Sequence, residues 1–178
     1  TGNNIPSDIK ELCKYEKISN INKLLTTDII FTHYDRQRQI ALQYFLNIFA
    51  CIIKNEIINR NVPEKLIIEL SEIDKKILSK ELSKCNKACG ILLELYDKGI
   101  DSFWKNKTSF FTLTVLFARN LEDGRRIPID KIKQILEEFQ NSDEVEWKKY
   151  NEASRQGVND KKVREQREQI LSKLLFGK

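Results

Sequence analysis

Methionine is absent from all 178 residues, position 1 included. The native start is therefore expected to lie upstream of Thr1. The chain is expected to be a fragment or a processed product, with any catalytic part upstream of Thr1. Histidine occurs once, as His33. A Ser–His or Cys–His nucleophilic pair would have to use that residue. Glycine-rich phosphate loops are missing. So are signal peptides, transit peptides and lipidation motifs, which predicts a soluble, cytoplasmic protein. Internal repeats and low-complexity tracts are missing too.

Cysteine is sparse: Cys13, Cys51, Cys85 and Cys89. All four sit in apolar or helical patterns, so buried free thiols in a reducing compartment are expected. Cys85 and Cys89 share a helix face, a spacing that can supply half of a zinc site. The other half is absent. No metal, cofactor or catalytic residue is assigned, and the reading leans away from an enzyme.

What the chain does have is 40% hydrophobic content, enough for one domain with a core. The stretch Arg38–Ile58 organises the rest. Between Ile40 and Ile53 only Gln43 and Asn47 are neither apolar nor aromatic. A helix apolar on nearly every face belongs inside a protein or a membrane. This run falls short of the roughly 20 residues that a bilayer span needs. It is read as a core helix over 40–58, opened by Asp35.

Around it the pattern predicts helices. Ser7 caps one that runs to Lys17, and Ile21, Leu24 and Leu25 mark a short turn. Pro63 opens a face of Leu66, Ile67, Leu70, Ile73, Ile77 and Leu78 that continues to Tyr96. One long helix or two, broken near Asp74 or Ser79, fit equally. Gly99 is a C-cap. Phe103 and Trp104 either plug the core end or form an exposed aromatic pair. A second, almost wholly apolar helix begins at Thr108 or Ser109. Asp123-Gly124 is a turn. Ile132, Ile135, Leu136 and Phe139 face inward on the next helix, and Val145, Trp147 and Tyr150 lie on a short amphipathic piece. Asp160 caps the last helix. Its inward residues are Val163, Ile170, Leu171, Leu174 and Leu175, with Arg164 and Arg167 outward.

The expectation is an all-α, compact multi-helix bundle of about seven helices around the buried 40–58 helix. A single helical domain covers 1–178, with 1–34 as a loosely packed N-terminal appendage.

Thirty-one basic residues face 26 acidic ones, a net charge of +5. That permits a polyanion partner without demanding one. Arginine gathers at Arg36 and Arg38, at Arg119, Arg125 and Arg126, and at Arg155, Arg164 and Arg167 with Lys161 and Lys162. Such groups can neutralise phosphates and read guanine edges. The alternative is a solvated face, since Glu122, Asp123, Asp160, Glu165 and Glu168 are interleaved. The stretch SRQGVNDKKVREQR, 154–167, is the best candidate: a polar loop feeding a helix N-terminus offers backbone donors besides cations.

Three pieces carry a family resemblance. TGNNIPSDIKEL resembles the N-T-G-G-x-x-L-x-x-x-E-L turn that follows the catalytic core in ParB-like nuclease proteins of the GmrSD restriction type. DRQRQIALQYFLNIFA resembles the R-x-x-D-x-E-x-x-L-R-F opening of that family's helical region. VREQREQILSKLL, after an aromatic-rich helix and a serine loop, is similar to its closing segment. The family's D-G-Q-Q-R motif is absent here, and its glycine pair is reduced to Gly2 followed by Asn3. The resemblance implies a helical C-terminal part beside a missing nuclease or nucleotidase domain, in phage defence against modified DNA. No catalytic residue carries over. The expected partners are DNA, a protein partner or that upstream domain. A protein-interaction or regulatory module without a nucleic-acid role is the alternative.

Overall fold

A computed structural model describes residues 18–120 and 127–178. The predicted 7–17 helix, Cys13, the Asp123-Gly124 turn, Arg125 and Arg126 lie outside the described residues.

Among the described residues there are nine α-helices, one 3-10 turn and no strand. They are α1 (Ser19–Thr26), α2 (His33–Gln37), α3 (Ile40–Lys54), α4 (Pro63–Ser71) and α5 (Lys75–Asp97). A 3-10 turn (Ser102–Lys105) leads to α6 (Lys107–Asn120), α7 (Ile129–Gln140), α8 (Val145–Ala153) and α9 (Lys161–Phe176). The all-α bundle is as expected. No described helix is long and apolar enough to cross a membrane.

The central helix is corrected at both ends. Thr32 and Asp35 close a capping box that starts the separate short helix α2. Gln39 then adopts a left-handed conformation, φ 58°, which ends α2 and restarts the chain as α3. At the far end Asn55, φ 49°, stops α3 after Lys54 rather than near 58. Ile57 and Ile58 are still buried, but from an irregular segment. The long 63–97 pattern is divided at Asp74, whose carboxylate accepts from the N–H groups of Lys76 and Ile77. Gly99, φ 72°, follows α5, and its N–H donates to the Tyr96 carbonyl at 3.0 Å.

The most enclosed element is α6, not α3: every residue from Ser109 to Ala118 is buried. It lies against α5, α3 and α9. Residues 18–34 are not a loose appendage. Ile18, Ile21, Leu24, Ile30 and Phe31 belong to the core. Asn86 on α5 accepts from the N–H groups of Asn20 and Ile21, capping α1 from outside. Gly90 allows that approach; a Cβ there would stand 2.9 Å from the Asn20 amide.

Asp35 ties α2 to the start of α6. Lys107 donates to it at 2.6 Å, and Thr32 donates through N–H and hydroxyl. Burial works against its carboxylate, but those donors outweigh burial and hold its pKa below the ordinary value. Trp104 is fully buried and meets Phe103, Trp147 and Tyr150 in an aromatic cluster that plugs one end. Cys51, Cys85 and Cys89 are free and buried.

The two polar exceptions in the α3 run serve one purpose. Asn47 donates to the Asn61 carbonyl at 3.0 Å and accepts from the Asn61 N–H at 2.9 Å. Gln43 accepts from the Arg60 guanidinium. Together they fix the irregular 55–62 segment, which has no ladder of its own. Asn47→Ala leaves both Asn61 groups without a partner. We expect a loss of about 3 kcal/mol in urea denaturation followed by circular dichroism. A loss below about 0.5 kcal/mol would place the Asn47 amide in water.

Candidate nucleic-acid interface

Side chains at 164, 167, 171 and 175 form one helical stripe, and all four are buried on α9. Two of them are arginines. The outward placement expected for Arg164 and Arg167 is corrected: they are 2% and 1% exposed. Val163, Ile170 and Leu174 flank the stripe, half-buried.

The burial works because each guanidinium meets oxygen acceptors. Arg167 donates Nε to the Thr112 hydroxyl at 3.2 Å. Its other nitrogens donate to the carbonyls of Ala153 at 2.6 Å and Val158 at 3.0 Å. Arg164 donates to the Ile58 carbonyl at 2.9 Å and the Asn159 side chain at 3.4 Å. It lies 4.1 Å over the Phe111 ring. Arg119 bridges Glu168 at 2.8 Å and the Cys51 carbonyl at 3.1 Å. These bonds fasten α9 to α6, to the 153–159 loop and to the segment after α3.

Burial lowers the pKa of Arg164 and brings that of Arg167 down to about 10. A cation whose folded pKa falls below its unfolded one carries a folding cost while it stays charged. That cost persists across neutral pH and fades only as pH rises past the folded value. Arg60 and Arg164 each repel the next guanidinium inward. Arg60 and Arg164 both bond Asn159, and Arg167 follows Arg164 one turn along the buried stripe of α9, so the three arginines run in a file. Asp160, one turn before Arg164 at the N-cap of the same helix, is a carboxylate that favours its charge.

Arg60 is exposed at the outer end of this file, 5.5 Å over the Tyr44 ring. It was not among the residues expected from sequence, because nothing in INRNV marks it out. Its N–H donates to the Asn159 carbonyl at 3.2 Å. Near it on α9, the Lys161 N–H donates to the Asn59 side chain at 2.7 Å. One donor of the expected helix N-terminus is thus occupied internally. The Lys161 ammonium lies 3.4 Å from Glu56 and 3.8 Å from Glu165. Arg155 and Lys162 are exposed and in no ion pair with a described residue.

The other expected residues divide. Arg36 is held by the Phe31 carbonyl at 2.6 Å and by Asp28 at 2.9 Å. Arg38 is exposed, 4.3 Å over the Tyr34 ring, which is 55% exposed. His33 is exposed and pairs with Gln37 at 2.8 Å. Cys85 and Cys89 lie side by side with no exposure; the neighbouring Cys89 thiol and burial push Cys85 well up. Among the described residues no group of three His, Cys, Asp or Glu is placed to hold a metal.

Arg167→Lys keeps the charge but cannot reach three acceptors from one fork. We expect a loss of about 2–3 kcal/mol by urea denaturation, because buried oxygens lose charged donors. A change within about 0.5 kcal/mol would assign the side chain to the surface.

No family model matches the chain, and no match was found among curated proteins or solved structures.

Proposed function

We propose that this chain is a non-catalytic helical domain of a restriction-type defence protein that contacts DNA. The contact centres on Arg60, with Arg155, Lys161 and Lys162 around the start of α9 and Arg38 as an outlying stacked cation. The observation that carries this reading is the Arg60–Arg164–Arg167 file. Its two inner charges are met mainly by neutral carbonyls and a hydroxyl, so they raise the positive potential at Arg60. Low-dielectric surroundings screen buried charges less than water screens exposed ones. A phosphate at Arg60 would feel all three. The exposed Arg38–Tyr34 pair offers a face on which a base can stack.

The family part of the reading rests on the resemblance of 1–12, 35–50 and 163–175. It is tested by the native gene. A D-G-Q-Q-R motif encoded upstream of Thr1 supports it, and an upstream sequence without that motif removes it.

The DNA part is tested by anisotropy of a labelled duplex across a salt series. Binding should weaken steeply with salt. Arg155→Glu with Lys162→Glu should lower affinity about tenfold or more and reduce the salt slope by about two. Arg60→Gln should lower affinity without changing helix content. No binding at low salt rejects the DNA role. A slope unchanged by the double variant moves the contact off this end of α9.

A further inference from the structure

Two aromatic–cation pairs border the corner between α2 and α3. At α2 the Arg38 guanidinium lies 4.3 Å from the centre of the Tyr34 ring, and both side chains are exposed. Across the corner, exposed Arg60 lies 5.5 Å from the centre of the half-buried Tyr44 ring of α3. Hydrogen bonds connect the two pairs. The Gln39 carbonyl, next to Arg38, accepts from the Gln43 N–H at 2.9 Å, and the Gln43 side chain accepts from Arg60. That path is one helical turn and one bonded side-chain pair, on the order of 10 Å, so one short strand can touch both.

Both rings stand on fixed footings. Phe31 is fully buried and meets the Tyr44 ring at 5.8 Å and the Phe110 ring of α6 at 5.6 Å. Asp35, next to Tyr34, holds α2 to Lys107. Groups positioned before a ligand arrives lose little freedom when it binds. The surroundings carry no competing acid. Residues 36–55 and 57–63 contain no Asp or Glu. Asp35 is buried in its pair with Lys107, and Asp28 is taken by Arg36. Arg38 and Arg60 make no ion pair with a described residue. Gln37 and Gln39 are exposed beside the pairs, and amides can both donate to and accept from base edges.

In a duplex the face of each base is closed by its stacked neighbours. An unpaired base can lie against an aromatic ring or a guanidinium plane. A surface that reads phosphates alone has no use for exposed rings under its arginines. We infer that the α2–α3 corner binds unpaired bases of single-stranded DNA, a refinement that rests on the DNA-contacting role proposed above. One base stacks on the Tyr34–Arg38 pair and another against the Tyr44–Arg60 pair. Guanidinium N–H groups not used by Gln43 donate to the phosphates between them.

The test is anisotropy with three labelled ligands at one low salt concentration: a mixed-sequence single strand, the duplex of the same length, and a strand of abasic sites with the same phosphates. The single strand is expected to bind about tenfold or more tighter than the other two. Tyr34 is 55% exposed, so Tyr34→Ala should leave the circular dichroism spectrum unchanged. It should lower single-strand affinity about fivefold or more and leave duplex affinity as it was, and Tyr34→Phe should keep the single-strand affinity. Equal affinity for single strand and duplex overturns the inference and leaves the DNA role standing. So does single-strand affinity that Tyr34→Ala does not change. Failure of all three ligands to bind overturns both.

Discussion

Residues 55–62 make the heaviest demand on this structure. They leave α3 without entering a helix or a sheet, yet Ile57 and Ile58 are buried. Backbone groups in such a segment need partners from elsewhere, since an unpaired buried N–H or C=O costs about as much as a lost hydrogen bond. On one side Asn47 takes both polar groups of Asn61. On the other, Arg164 takes the Ile58 carbonyl and Asn159 takes the Arg60 N–H. The segment is a seam between α3 and the start of α9. The inward turn of Arg164 follows from it, because a long, multiply donating side chain can reach a carbonyl that lies across the seam.

Arg167 extends the same logic into the 153–159 loop. A polar loop before a helix would ordinarily leave its carbonyls to water. Here Ala153 and Val158 give theirs to Arg167. Two guanidiniums thus close the C-terminal helix over α6 without a buried carboxylate bonded to either. Replacing such ions with apolar groups can be neutral for stability, so their value here is in fixing one docking geometry for α9. The same arrangement leaves positive charge underneath the exposed Arg60, which links the internal clasp to the proposed surface.

The apolar skeleton was legible in the sequence. The runs at 40–53 and 110–118 appear as buried helices, Pro63 and Gly99 mark boundaries where expected, and Asp74 is the break that the sequence left open against Ser79 or no break. What failed had physical causes. Gln39 and Asn55 break the central pattern through left-handed backbone, which no hydrophobic period records. Arg164 and Arg167 fall on the inward stripe, but a charged side chain is by default assigned to water. Gln43 and Asn47 were visible as exceptions to an apolar run, yet their partners stand 17 and 14 residues away, respectively, in a stretch without pattern. Arg60 was missed for the same reason: its position depends on a seam that sequence spacing does not encode.

The central claim is that Arg167 is an internal clasp and not a surface cation. Isotope-labelled arginine observed by NMR addresses it directly, through the Nε–H that donates to Thr112. The account predicts a distinct Arg167 Nε–H signal that exchanges slowly with water and does not move when phosphate is added. A signal that exchanges as fast as free arginine, or shifts with phosphate, would contradict it.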